Sequence, residues 1–304
     1  MQADADAAAL FTRTRLAGHQ VCAAVSGGKD STAMSLWLTE QGIEHSRVFA
    51  DTGWEAPETY AYLDILRDKL GPIETVRNEK SWAEARDGEG GMLTLIRRKQ
   101  MFPSRTRRFC TEQLKWVPLK AHMFRLAEDK PVINAIGIRA AESQARSMLE
   151  EWEWNDDFDC WTWRPLISWS EQDVIDIHTR NGVAPNPLYL RGAGRVGCYP
   201  CIYARKSEIA ALPQAVVDRL SPLEHELTAD AVARGVARPE RAFFHLHDPA
   251  NHASGFMPIE RVREWARSDR GGRQMLLLDA PSEPGCVRWG LCEHLPAERQ
   301  EGDR

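Results

Sequence analysis

Val21-Cys22-Ala23-Ala24-Val25-Ser26-Gly27-Gly28-Lys29-Asp30-Ser31, running on into Thr32-Ala33-Met34-Ser35-Leu36-Trp37-Leu38, decides the fold of this 304-residue chain. The apolar run predicts a strand at about residues 20–25, the paired glycines a tight turn, and the following pattern a helix that begins at once. Strand, turn and helix in that order aim unpaired backbone N–H groups at one point, the arrangement that binds an anion. Gly27 and Gly28 let the backbone come close to that anion, Lys29 adds a compact positive charge, and Ser26 and Ser31 offer hydroxyls. Asp30 is the odd member, because a carboxylate repels phosphate unless a cation intervenes; it is assigned to positioning Mg²⁺ or to the helix start. A glycine turn that merely joins strand to helix is the plain alternative. The common phosphate loop is longer, with four residues between its glycines.

Composition narrows the partners. A net charge of -5 gives no global pull toward nucleic acid or membrane. No apolar run approaches the roughly 18 residues of a membrane span, and Met1 to Gln20 lacks a secretory pattern, so a cytoplasmic location without membrane contact is expected. Seven unevenly spaced cysteines then point to metal or sulfur chemistry more than to disulfides.

Outward from the loop, Phe11 to Ala17 reads as a short helix, and the helix after the loop should run to Gln41 with Gly42 as its stop. Ser46 to Ala50 predicts a second strand ending in Asp51-Thr52-Gly53. Asp51 and Thr52 are then placed to contact adenosine at the strand's carboxyl end, or serve as a turn and cap. A helix to Leu70 and a strand Ile73 to Val76 extend the series, so right-handed crossovers predict a doubly wound, mostly parallel α/β sheet. From Gly90 to Cys110 the cations Arg97, Arg98, Lys99, Arg105, Arg107 and Arg108 occur with no acidic residue, suited to phosphates or to a solvated loop. Thr111 to Leu126 reads as a helix in which Pro118 is awkward. The strand Pro131 to Ile138 leads into Gly137-Ile138-Arg139-Ala140-Ala141-Glu142-Ser143 and Arg146, where a guanidinium at a strand end can fork onto an oxyanion.

Trp152, Trp154, Trp161 and Trp163 alternate as in a hairpin, with core packing favoured over base stacking. Ser170 should cap the next helix. Cys198-Tyr199-Pro200-Cys201 can bind a metal, take two corners of an iron–sulfur cluster, act as a redox pair or lie idle. Cys22 and Cys160 read as packing residues, and His245, His247 and His252 as surface. Helical patterns at Pro213 to Arg234 and Pro258 to Ser268 suggest a C-terminal appendage beside the crevice. The expected organisation is an extension over 1–19, a nucleotide-binding domain over 20–210, and an appendage with a cysteine-containing tail over 211–304.

Ser26 to Ser31 resembles the pyrophosphate loop of the N-type ATP pyrophosphatases, which include the phosphoadenosine phosphosulfate (PAPS) reductase family. Further matching segments follow in family order over about residues 20–210: Asp51-Thr52-Gly53 with Pro57-Glu58-Thr59-Tyr60, Cys110-x4-Lys115-x2-Pro118-Leu119, Gly137 to Arg146, Arg164 to Val174, and Gly197 to Cys201. The resemblance implies ATP cleavage between the α and β phosphates. It implies that Lys29, Asp30 and Arg139 act in catalysis and that Gly137, Arg139, Glu142 and Arg146 meet the nucleotide, with Glu142 holding one arginine. It also implies that Cys110, Cys198 and Cys201 bind a [4Fe–4S] cluster, or alternatively zinc; the expected fourth ligand is Cys292, since Gly290-Leu291-Cys292-Glu293 would let the tail fold back over the site, with Cys286 as its alternative.

Three departures carry weight. Phe109-Cys110 stands where cluster-bearing reductases have two cysteines, the phosphate loop is complete, and the tail reads Gly290-Leu291-Cys292-Glu293-His294 instead of Glu-Cys-Gly-Leu/Ile-His. The last two favour ATP as substrate, as in Dnd-type DNA phosphorothioation enzymes and tRNA thiolases. The expectation is an adenylating sulfur-transfer enzyme served by a cysteine desulfurase or thioredoxin, with a nucleic-acid acceptor held by the six cations. The alternatives are a sulfonucleotide reductase with Cys292 as nucleophile, and a nucleotide-gated nucleic-acid-binding subunit.

Overall fold

The computed structural model describes residues 12–85, 89–247, 255–268 and Trp289. Six strands make one sheet: β1 (Gln20–Ala24), β2 (His45–Asp51), β3 (Glu74–Arg77), β4 (Val132–Ile136), β5 (Trp152–Asn155) and β6 (Cys160–Trp163), in the spatial order β3-β2-β1-β4-β6-β5. All neighbours are parallel except the β5–β6 hairpin at one edge. The expected doubly wound, mostly parallel α/β sheet is what forms. β1 sits centrally because Val21, Cys22 and Ala23 are apolar on both faces and fully covered, as a strand flanked by helices requires.

Helix α1 (Lys29–Glu40) follows β1, α2 (Pro57–Leu70) follows β2, and α3 (Val117–Ala127) precedes β4. Gly42, at φ +66°, ends the turn after α1 as a residue without Cβ can. The helix expected over Thr111 to Leu126 is not uniform: a π-helical turn at Glu112–Trp116 intervenes, and Pro118 falls in the first turn of α3. The widened turn re-phases the hydrogen bonds around a residue with no N–H to donate.

The tryptophan hairpin pairs Trp152 with Trp163 and Trp154 with Trp161 across the ladder. Trp152 and Trp163 stack at 4.9 Å and are buried, while Trp154 is half exposed. Arg15 lies 3.7 Å over Trp161, closing that face with a cation–π contact.

Helix α4 (Glu171–Arg180) is capped by Ser170, whose hydroxyl accepts from Asp173 N. The helices α5 (Gln214–Ala233) and α6 (Ile259–Arg267) share one apolar cluster with Trp54, Phe102, Phe109 and Phe243. Buried Glu224 ties them together by accepting from Phe243 N and Ile259 N, both at 2.8 Å, and burial pushes its carboxyl up to about 7. Among the described residues no helix is long and apolar enough to cross a membrane.

Candidate functional site

Chain order reverses in this sheet at β1: β2 and β3 lie to one side, β4 and the hairpin to the other. The loops leaving β1 and β4 therefore part at their carboxyl ends, which is where an open α/β sheet has its crevice. Ser26 to Gly28 and Gly137 flank that opening. A Cβ on Gly137 would stand 2.5 Å from Asp30 O and 2.7 Å from Ser31 Cα, so only glycine lets the end of β4 touch the first turn of α1. Gly27 adopts φ +74°, and the N-cap of α1 is Gly28, which has no side chain to cap it, so apart from Lys29 N the first-turn N–H groups have no side-chain cap.

The loop is braced from within and from behind. Ser31 Oγ donates to Gly28 O at 3.0 Å and accepts from Ser26 N at 3.1 Å and from the Ser26 hydroxyl at 3.2 Å, so it staples the turn, with exposed Ser26 at its rim. Lys29 N donates to the Tyr189 hydroxyl at 3.2 Å, His178 Nε2 lies 2.9 Å from Lys29 O, and Asn186 donates to Gly27 O. Burial holds the His178 imidazole below its ordinary pKa and pushes the Tyr189 phenol well up. Trp289 packs on both, its ring centre 5.3 Å from His178 and 6.3 Å from Tyr189.

Four charges meet beside this turn. Lys29, 7 % exposed, has its ammonium 3.6 Å from Asp30 and 3.5 Å from Glu171. Arg139, 5 % exposed, donates through Nε to Asp30 at 2.5 Å. Asp30, in the first turn of α1, thus holds two cations in place. Glu142 accepts from Arg139 N at 2.8 Å and forms an ion pair with Arg146, so it fixes both ends of that arginine pair.

Beyond β2, Asp51 accepts from Gly53 N at 2.9 Å and from the Tyr60 hydroxyl at 2.8 Å. Thr52 is fully buried and its hydroxyl donates to Glu55 at 2.7 Å. The Thr52 side chain therefore builds the turn, and Asp51 shares in it.

The cysteine knuckle docks on the next residues, with Tyr199 N donating to Trp54 O at 2.7 Å and Trp54 Nε1 to Pro200 O at 3.1 Å. Cys110, Cys198 and Cys201 are close enough to feel one another's charge, and Lys115 stands by Cys198. Burial pushes the Cys198 thiol up to about 11 against the pull of Lys115, and nearby Cys198 raises Lys115. Among the described residues no group of three or more His, Cys, Asp or Glu side chains is arranged to hold a metal ion. The three thiols do not, as they stand, form the convergent donor set that zinc or an iron–sulfur cluster requires, and Cys286 and Cys292 lie outside the described residues. Cys22 and Cys160 are buried in the sheet's second core, where burial pushes their thiols up to about 12 and about 11.

Sequence reasoning did not single out Glu171, Tyr189, His178 or Asn186. A hydroxyl or amide that braces a loop from 150 residues away carries no local pattern. Glu171 was visible only as the first helical residue after the Ser170 cap.

An uncapped helix start behind a diglycine turn, set at the reversal point of a parallel sheet with a buried lysine and arginine, defines an anion-binding α/β protein of the nucleotide type. Residues 20–204 match the phosphoadenosine phosphosulfate reductase domain, and the chain belongs to that family. It is 33% identical over 321 residues to an uncharacterized 37.8 kDa protein of Escherichia phage 186, spanning 88% of this chain and 95% of that one. An adenosine 5'-phosphosulfate reductase of Rhodococcus opacus is 29% identical over 155 residues, which is 51% of this chain and 57% of the relative. Among solved structures, the phosphoadenylyl-sulfate reductase of Candida auris in its phosphate complex aligns with a TM-score of 0.47 at 17% identity, covering 60% of this chain and 82% of that chain.

Proposed function

We propose that this protein binds ATP, as its magnesium complex, with the β and γ phosphates on the Ser26–Ser31 loop, and transfers the adenylate to an acceptor oxygen that sulfur later replaces. The observation that carries the reading is the intact loop with its paired cations: Lys29 and Arg139 are both buried and both held on Asp30. The acceptor oxygen would bond to the α phosphorus as the bond from that phosphorus to the α,β-bridging oxygen breaks, and pyrophosphate would leave. The loop N–H groups and Lys29 lie where negative charge grows on that departing group, and Arg139 would face the α phosphate. A sulfur nucleophile would then attack the activated carbon and expel AMP. Ser26, Gly27, Gly28, Ser31 and Gly137 shape the anion site in this reading, and Asp51, Glu142 and Arg146 border the nucleotide.

A second reading rests on the relatives named adenosine 5'-phosphosulfate reductase: reduction of a sulfonucleotide to sulfite. Incubation with ATP, and separately with APS or PAPS plus thioredoxin, separates the two. Pyrophosphate from ATP supports adenylation; sulfite release without pyrophosphate overturns it.

A further inference from the structure

The six cations between residues 97 and 108 do not act as one patch. Arg97 pairs with Glu226 at 3.3 Å and Arg98 with Glu84 at 3.4 Å, while Arg105 and Arg108 lie 5.5 Å over the Tyr203 ring. Lys99, its ammonium 5.3 Å over the Phe109 ring, and Arg107, which donates to Met101 Sδ at 3.8 Å, are both exposed and line a groove of about 390 Å³ that Arg234 and Arg241 also line. Two of the four groove cations come from a second arginine-containing stretch, Arg234 to Arg241, more than 120 residues along the chain.

Neutral groups hold these cations without cancelling their charge. Arg241 donates to Gln100 O at 3.3 Å, Arg238 O at 2.8 Å and Glu240 O at 3.1 Å, and Arg234 donates to Gln100 Oε1 at 3.2 Å. Gln100 receives both arginines because it sits in the left-handed region, φ +54°, at the end of the helix Met92–Lys99. Among the described residues lining the groove the one carboxylate is Glu240, and its side chain lies against Gly255. One side of the groove is an aromatic plate: His245 and Phe256 stack with ring centres 4.6 Å apart and planes 14° from parallel, and His247 tilts against the same Phe256 ring at 4.8 Å. The groove floor, Phe102, packs edge-on against Phe243, which stacks on Trp54 just after the Asp51-Thr52-Gly53 turn. One aromatic wall therefore separates the groove from the crevice at the sheet's carboxyl edge.

We infer that this groove docks a single-stranded nucleic-acid segment, its phosphodiesters between Lys99, Arg107, Arg234 and Arg241 and a base against the Phe256–His245 plate. Cations tracking a backbone beside a flat π-surface are what a single strand requires, and they suit it without regard to sequence. The volume is at the small end of ligand sites, about 300–1,000 Å³, enough for one base and its sugar with the flanking phosphodiesters left to the four cations. The inference builds on the adenylation reading by giving its acceptor a chemical class.

The test uses the full chain without ATP and fluorescently labelled dT12 and U12 strands, with anisotropy read at 50 and 200 mM salt. Four phosphate contacts on a single strand predict about a 50-fold loss of affinity over that step, at about 0.7 counterions released per contact. The double variant Lys99→Gln/Arg107→Gln should bind more weakly and lose only about sevenfold over the same step. Phe256→Ala should weaken binding about tenfold or more through lost stacking; if it misfolds, the double variant, altered only at exposed positions, decides alone. Lys29→Ala should bind both strands as the parent does. Absence of binding at 50 mM salt, an unchanged double variant, a mononucleotide that binds as tightly as the 12-mer, or tighter binding of a duplex would each overturn the inference. Loss of strand binding with pyrophosphate release from ATP intact would remove this acceptor and leave the adenylation reading standing.

Discussion

Asp30→Asn separates two roles for the residue at the centre of the loop. Asp30 and Arg139 are an ion pair whose side chains are 12 % and 5 % exposed, with Lys29 at 3.6 Å on the other carboxylate oxygen. Removing one partner of a buried pair costs about 3–5 kcal/mol, because the remaining charge is left without compensation. The asparagine amide oxygen can still accept from Arg139 Nε, which places the expected loss near the lower bound, about 3 kcal/mol. At about 2–4 °C per kcal/mol for a chain approaching this size, the melting temperature should fall by roughly 6–12 °C. The assay is a thermal melt of nucleotide-free protein in EDTA, so that no divalent ion contributes. If Asp30 instead serves to position Mg²⁺, the melt in EDTA will match the parent and only the magnesium requirement of ATP turnover will rise. That pair of results would refute its assignment as the anchor of Arg139.

Gly137→Ala should cost about 1–3 kcal/mol and weaken pyrophosphate binding in parallel, since the new methyl meets the backbone of Asp30 and Ser31, which cannot rotate away; a melt and a binding titration on the same variant check both. Glu171→Gln removes a half-exposed competitor for the Lys29 ammonium, an interaction of about 0.2–1 kcal/mol, so apparent ATP affinity should rise by up to about fivefold, and an unchanged or weaker affinity would speak against that competition. Glu224 should make stability fall as pH rises. Its folded carboxyl, up to about 7 from 4.5, binds its proton more tightly than the unfolded one, so its contribution is full below about pH 4.5 and is lost as pH climbs through 7. The parent should lose on the order of 3 kcal/mol between pH 4.5 and 8 that Glu224→Gln does not lose, read as the difference between their melting profiles.

The fold was legible where a single local pattern decides it. Val21 to Val25, Ser46 to Ala50 and Ile73 to Val76 each fall within two residues of the strand that forms; β1, buried on both faces, reads as a bare apolar run, whereas edge strand β3 buries only Val76 and was bounded by its flanking Gly71-Pro72. The tryptophan hairpin followed from alternation alone. The π-helical turn before Pro118 was not legible, since it answers to the packing of Leu114 and to the re-phasing that proline imposes. In the site, glycines and charges at 26–31 and 137–146 were visible because close approach and charge need particular residue types. Their braces were not, because Tyr189, Asn186 and His178 reach the loop through the fold. The cation run at 97–108 shows the opposite failure: Arg97 and Arg98 are taken up by Glu226 and Glu84, while Lys99 and Arg107 line a groove with Arg234 and Arg241 from far along the chain.

Calorimetric titration of inorganic pyrophosphate into the parent protein and Lys29→Ala bears most directly on the central claim, that the loop after β1 grips two linked phosphoryl groups. One pyrophosphate should bind per chain, at least tenfold more tightly than monophosphate, with that preference gone in Lys29→Ala. Pyrophosphate that binds no better than monophosphate, or equally well to the variant, would contradict it.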